Sequence, residues 1–360
     1  MTQLTIRDIR ARAVDAPISR PVRTASGEIE KAPLLLIDVL TDEGITGCAY
    51  AFGYTQATLR PLLALAAELR TELIGKPLVP YARMQQMERR FRLLGLHGLL
   101  GMLISTLDMA YWDALGKAAG QPVVQLLGGE AVPVRAYDSY GMVDPVDDAA
   151  ALQRSLEQGF RAIKIKLGYP TLQRDIEVTS AVRELIGFDV DLMVDFNQSL
   201  SPAEAIRRVR ELEAFDLCWV EEPVAAEDLQ GHAKVREGTS ASIQTGENWW
   251  FPRDAERALA ADACDKMMPD LMKIGGITGW MSVAGLAAAA SMPVSSHLFI
   301  EASAHVLPVT PTCDWLEFMD FGSAILAEPY RVDANGCVCA RGPGLGMVWD
   351  EAAVERHRFG

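Results

Sequence analysis

The sequence predicts an α/β fold, a barrel of the (β/α)8 type preceded by an α+β domain. Three observations carry this. From Val132 onward, eight short apolar segments alternate with helical stretches, the rhythm of parallel strands joined by crossover helices. Polar residues stand at the ends of those segments, about one βα unit apart. The residues before Val132 follow a different order, strands first and then three helices.

Within residues 1–130, "APLLLIDVL" and "GITGCAYAFGY" read as strands around "TDEG", a turn with Gly44. Three helical patterns follow: "QATLRPLLALAAELRTELIG", "YARMQQMERRFRLLG" and "GMLISTLDMAYWDALGKAAG". Their apolar residues recur at helical spacing, and they stop near Gly75, Gly95 and Gly120. Residues 131–325 supply the barrel strands "VPVRAYDSY", "AIKIKLG", "DLMVDFNQ", "LCWVEEPV", "SIQTGEN", "KMMPDLMKIGG", "PVSSHLF" and "WLEFM". Residues 326–360 hold strand-like and Gly-rich pieces without a ninth unit. They are expected to pack back on the first domain.

With 360 residues, 49% hydrophobic and 23% charged, the chain has a globular composition. Its net charge of −14 opposes sequence-independent nucleic-acid binding and repels anions. An anion site must therefore be locally positive, from lysines, a metal or both. The six cysteines are scattered, and Cys337 and Cys339 lack further metal-binding partners nearby, so reduced thiols in the cytoplasm are expected. "MTQLTIRDIR" lacks an apolar signal core, and no run reaches the about 18 apolar residues of a membrane span.

In a barrel, chemistry gathers where the strands end. Those ends carry Lys164 and Lys166 (second strand), Asp195 and Asn197 (third), Glu221 and Glu222 (fourth), Glu247 (fifth), Asp270 (sixth), His297 (seventh) and Glu317 (eighth). Any one acid would as readily cap a helix or pair with Lys or Arg. Asp195, Glu221 and Glu247 in register repel one another unless a cation neutralises them, and all-oxygen ligation suits Mg²⁺. Lys164 and Lys166 leave the same face of an apolar strand. One can hold a substrate carboxylate; the other, its pKa lowered by its neighbour and by burial, can be a base near neutral pH. Asp270 can orient His297, which would face Lys166 across the barrel.

The chain resembles the enolase superfamily, and within it the mandelate racemase / muconate lactonizing enzyme family. The resemblance rests on "LDMAYWDALGK", "KIK", "VDFNQS", "WVEEP", "GENW", "PDLMKIGGITGW", "SSHLF" and "WLE", and covers essentially the whole length. Asp270 stands where the muconate-lactonizing branch has a lysine, which together with His297 favours the racemase branch. The resemblance implies a (β/α)7β TIM-type barrel under an N-terminal α+β capping domain. It implies Mg²⁺ (or Mn²⁺) bound by Asp195, Glu221 and Glu247, and Lys164 on the substrate carboxylate. Lys166 would be the base for one enantiomer and His297, paired with Asp270, for the other. Asn197 and a protonated Glu317 would hydrogen-bond the enediolate. The implied reaction is two-base racemisation of a 2-hydroxy carboxylate or a close derivative such as its amide.

By the same resemblance, "PVRTASGEIEKAPL" and "AFGYT" are the specificity loops, with Val22, Ile29, Phe52 and Tyr54 keeping an apolar character, and Ser139 and Met319 at substrate-contact positions. Ser26 is more polar than the family pattern, and Glu28, Glu30 and Lys31 add charge. An acid-sugar dehydratase is the nearest alternative, kept open by Ser26 and Glu28. A non-catalytic metal-dependent binder of small acids is a more distant one, disfavoured by two opposed bases. A cytoplasmic homo-oligomer acting on a small-molecule carboxylate, without nucleic-acid or membrane partners, is expected.

Overall fold

The computed structural model describes residues 3–24 and 27–360. The apolar runs of the first domain form a three-stranded antiparallel sheet, β1 (Ile6–Thr24), β2 (Gly27–Thr41) and β3 (Thr46–Phe52), in that order. Leu34, Leu35, Leu36 and Ile37 of the central strand are fully buried, so both faces of β2 are covered. Three helices follow, α1 (Leu59–Leu73), α2 (Pro80–Arg90) and α3 (Leu99–Ala119), and α3 packs on β3. Gly47 permits that approach: a Cβ there would stand 2.0 Å from the Ala110 carbonyl oxygen.

The stretch expected as the first specificity loop is instead a continuation of the β1–β2 hairpin. The register shifts between Pro17 and Val22, where Pro17 and Pro21 supply no N–H, and pairing resumes at Val22–Ile29, Arg23–Glu28 and Thr24–Gly27. Ser26, singled out for its polarity, lies outside the described residues.

After a short helix, α4 (Val123–Leu126), the barrel begins. Its strands β4 (Val134–Met142), β5 (Ala162–Lys166), β6 (Asp191–Asp195), β7 (Leu217–Glu221), β8 (Ile243–Thr245) and β9 (Lys266–Met267) are parallel neighbours in chain order. Between them run α5 (Ala149–Glu157), α6 (Leu172–Ile186), α7 (Pro202–Leu212), α8 (Leu229–Gly238) and α9 (Phe251–Ala260). α10 (Gly276–Ala289) follows β9, and β10 (Leu316–Phe318) pairs back on β4. The expected seventh strand, "PVSSHLF", is not a regular strand. Val294 bridges Met267 and Cys313, His297 bridges Asp270, and these contacts join β9 to β10. The extended run is short because Leu298 (φ 52°) and Phe299 (φ 48°) turn left-handed and lead into α11 (Ile300–Val306).

Tyr137, Met193, Trp219 and Trp315 each stand two residues before a strand-end site residue, hence on the same inward face one layer lower. They form one buried cluster, with Tyr137 edge-on to Trp219 at 5.4 Å, which fills the barrel beneath the site. Beyond the barrel, β11 (Cys337–Val338) pairs antiparallel with β4, and α12 (Glu351–Arg356) ends the chain's helices. This last segment touches the capping sheet: Trp349 Nε1 donates to Asp38 at 2.6 Å and the Phe359 amide to the Ala13 carbonyl at 2.8 Å. Among the described residues, no helix is long and apolar enough to cross a membrane.

Gly47→Ala should destabilise the protein by roughly 1–3 kcal/mol, because backbone on both elements must separate to admit one methyl group. Urea unfolding followed by circular dichroism measures this.

Candidate active site

Strand register assembles the site. Lys166 on β5 aligns with Asp195 on β6, and Asp195 with Glu221 on β7. Glu247 follows β8 by two residues. Carboxylate oxygens of Asp195, Glu221 and Glu247 lie within 4.8 Å of one another, and all three residues are buried. Just past two of these strand ends the backbone turns left-handed at Asn197, Gln198 and Glu222. The Asn197 turn lets its own amide N–H donate to Asp195 Oδ1 (2.7 Å) and its side chain to Oδ2 (2.9 Å).

Each acid also meets a cation. Lys166 Nζ donates to Asp195 Oδ2 at 2.6 Å, and Lys164 Nζ donates to Glu221 Oε1 at 2.7 Å. Lys164 further pairs with Glu317 Oε1 at 2.8 Å. His297 Nε2 lies 3.3 Å from Glu247 Oε2, and its Nδ1 lies 2.6 Å from Asp270 Oδ2. Asp270 is held in turn by the Met272 amide on its other oxygen. The two candidate bases thus sit at the two ends of the carboxylate row, Lys166 on Asp195 and His297 on Glu247.

The electrostatics express the crowding. Burial pushes the Glu221 carboxyl up to about 8, against the pull of Lys164 and with Asp195 and Glu247 adding to the rise. Burial also works to raise Glu247, but His297 and the surrounding lysines outweigh it and hold that acid near 2. Three oxygen donors that cannot all stay ionised together are a donor set suited to a hard divalent cation.

Two expectations are corrected. Burial and Lys164 do act to lower the Lys166 pKa, but Asp195 at 2.6 Å outweighs them, and the net shift is upward. Glu317 is not set up as a neutral donor: although burial opposes ionisation, Lys164 and His297 hold its carboxyl near 2. Lys164 is itself deeply buried between Glu221 and Glu317.

Four side chains at the site had been given no role. Trp219 Nε1 donates to Glu221 Oε2 at 3.1 Å from the layer below. Lys273 Nζ donates to Asn248 Oδ1 at 2.7 Å, and Asn248 donates to both oxygens of Glu222. Lys273 also lies 5.0 Å from the centre of the Tyr54 ring. It stands three residues past Asp270, a spacing that could have flagged it.

The capping domain meets the barrel mouth on two sides. Arg20 pairs with Asp138 at 2.6 Å and donates to the Ser139 carbonyl, while the Arg23 backbone presses on Gly141 at the end of β4. Val22 and Ile29 are cross-strand partners on that hairpin. On the other side Phe52 stacks on Phe321 (4.5 Å) and touches Tyr54 (4.7 Å). Tyr54 is 43% exposed, and Met319 is half-buried. Ser139 is buried, and its hydroxyl has no hydrogen-bond partner among the described residues.

A capping sheet over a closed barrel, with a carboxylate triad flanked by Lys and a His–Asp pair, defines an enolase-type enzyme. Residues 6–128 match the N-terminal domain of the mandelate racemase / muconate lactonizing enzyme family, and residues 147–353 match the enolase C-terminal domain-like family. The chain belongs to the enolase superfamily, in its mandelate racemase / muconate lactonizing branch. It is similar to a Bradyrhizobium enolase solved with magnesium and mandelic acid, at 55% identity and a TM-score of 0.98, each chain covering 100% of the other. It is also similar to 3,6-anhydro-alpha-L-galactonate cycloisomerase of Streptomyces coelicolor (34% identity, 95% of this chain and 96% of the relative). L-talarate/galactarate dehydratase of Salmonella typhimurium is 28% identical over 94% of this chain and 87% of its own.

Burial acts to lower the His297 pKa, but Glu247, Asp270 and Glu317 prevail and push it up to about 9. In chelator-treated protein, an NMR titration should therefore place this ring near 9. A raised folded value stabilises the fold below the ordinary histidine value of about 6.5, and that contribution should fade as pH rises through 9. Asp270→Asn should bring the midpoint down.

Proposed function

We propose that the chain racemises a 2-hydroxy carboxylate, or a close derivative such as its amide, by two-base exchange of the α-proton. One observation carries this reading: Lys166 and His297 occupy opposite ends of one carboxylate row. Asp195, Glu221 and Glu247 would hold Mg²⁺, which when bound supplies a Lewis acid for the substrate carboxylate and draws the charge of Asp195 away from Lys166.

The α-proton of a carboxylate is very weakly acidic, so charge must be stabilised where it develops. Lys164 Nζ supplies a fixed positive charge beside the position of the substrate carboxylate. The Asn197 amide supplies a neutral donor to the developing enediolate. Glu317, whose Oε1 lies 2.8 Å from Lys164 Nζ, would donate to the enediolate only in its protonated form, while Lys164 keeps its charge. Asp270 keeps the His297 ring oriented with Nε2 toward the row. Each base removes the proton from its own face of the substrate carbon, and the conjugate acid of the opposite base delivers a proton to the other face of the enediolate.

A second reading is favoured by the relatives that act on acid sugars: the same machinery would take the α-proton and expel a β-hydroxyl. The apolar character of Val22, Ile29, Phe52 and Tyr54 in the capping segments favours the first reading, since such side chains offer a hydroxylated substrate few partners.

Activity should fall at least about a thousandfold on chelation and return with Mg²⁺ or Mn²⁺. Full activity in metal-free protein would remove the three carboxylates from the mechanism. A panel of aryl 2-hydroxy acids, their amides and acid sugars in D₂O, followed by NMR and optical rotation, separates the two readings. Loss of rotation without a 2-keto product supports racemisation; a keto product from acid sugars alone supports dehydration. In His297→Asn, one enantiomer should still exchange its α-proton without inversion, and the other should be inert. Equal residual exchange from both would exclude His297 as a face-specific base.

A further inference from the structure

The turn that carries His297 is fastened to the capping sheet. Tyr50 of β3 is buried, and its hydroxyl donates to Glu301 Oε2 at 2.8 Å. Its ring packs on Phe299 with centroids 5.3 Å apart. Phe299 and Glu301 follow His297 by two and four residues. Between His297 and Glu301 lie two consecutive left-handed residues, Leu298 and Phe299 itself. Bulky residues hold that conformation only where their surroundings impose it. Here the Leu298 amide donates to Glu317 Oε2 (2.9 Å), Ser303 Oγ donates to the Leu298 carbonyl (2.9 Å), and Tyr50 engages both Phe299 and Glu301.

The loop after β10 closes on the same pair. A Cβ on Gly322 would stand 3.1 Å from Glu301 Oε1 and 3.3 Å from the Tyr50 hydroxyl. Burial pushes the Glu301 carboxyl up to about 7, against the hydrogen bond from Tyr50 and the charge of Arg341. An apolar side chain would fill this position at lower cost, so stability alone does not account for the acid. Lys166 has no such tie: it is held within the barrel sheet, aligned with Met142 on one side and Asp195 on the other.

We propose that Tyr50 and Glu301 are positioning residues for His297, their hydrogen bond making this one base, and not Lys166, dependent on the seating of the capping domain. The inference deepens the two-base reading and rests on it. Tyr50→Phe removes one oxygen. Glu301→Ala removes the acceptor, and Glu301→Gln keeps a carbonyl that can accept.

The first readout is the imidazole itself, in Mg²⁺-loaded, ¹⁵N-histidine-labelled protein, with the His297 signals assigned by their loss in His297→Asn. Tyr50→Phe and Glu301→Ala should shift or broaden them and leave His97 and His232 in place; Glu301→Gln should restore them. The second readout is α-proton exchange of each mandelate enantiomer in D₂O. Tyr50→Phe should slow exchange at least tenfold for the enantiomer served by His297 and leave the other within twofold. Unchanged His297 signals in Tyr50→Phe, or equal slowing of both enantiomers, overturn the proposal. If Glu301→Ala does not fold, Tyr50→Phe alone decides. If the unaltered enzyme exchanges neither mandelate enantiomer, mandelate is not its substrate, and the ring signals alone decide whether the pair positions His297.

Discussion

The repulsion among three buried carboxylates is the constraint around which the rest of the structure is arranged. At 4.8 Å and an effective dielectric near 20, each pair of full charges costs on the order of 3 kcal/mol. Such a cluster persists only if a rigid frame holds it and compensating charge surrounds it. The frame is the parallel register of β6, β7 and β8: Asp195 aligns with Glu221, Glu221 with Gln244, and Glu247 follows three residues on. The compensation is a ring of bases: Lys164, Lys166, His297 and, one contact further out, Lys273. In a chain of net charge −14, these bases, together with Mg²⁺ on the three carboxylates, are what would make an anion site tenable.

The same constraint sets how each base holds its proton. A lysine between burial and a carboxylate is pulled both ways, and for Lys166 the carboxylate prevails. Proton affinity at this site is therefore a property of the cluster: whatever shares the charge of Asp195 also resets Lys166. His297 is bound to the opposite end of the row by a shorter and more irregular piece of backbone. Its ring is oriented through Asp270, and its main chain through contacts reaching outside the barrel.

Much of this could be read from the chain. The barrel strands were legible because a buried parallel strand is a short apolar run whose signal is local, and polar residues at the ends of such runs converge by geometry alone. The seventh strand was legible as a position but not as a strand, since two left-handed residues after His297 cut its pairing short. The Val22–Ile29 hairpin read as a loop because its prolines and charges mask the alternation. Proton affinities at Lys166 and Glu317 depended on which partner lay within 3 Å, which spacing does not reveal. Tyr50 against Glu301 is a contact between distant parts of the chain and left no local mark.

The break in pairing between Pro17 and Val22 has a consequence for how such enzymes diversify. A ladder transmits any change of length along its whole extent, because one inserted residue turns every later side chain to the other face. A slip in the ladder stops that transmission. The hairpin tip beyond it can gain, lose or exchange residues while the sheet below keeps its alignment, and with it the seating of the barrel. The capping sheet and the barrel seated beneath it are thus insulated from changes of length at the tip.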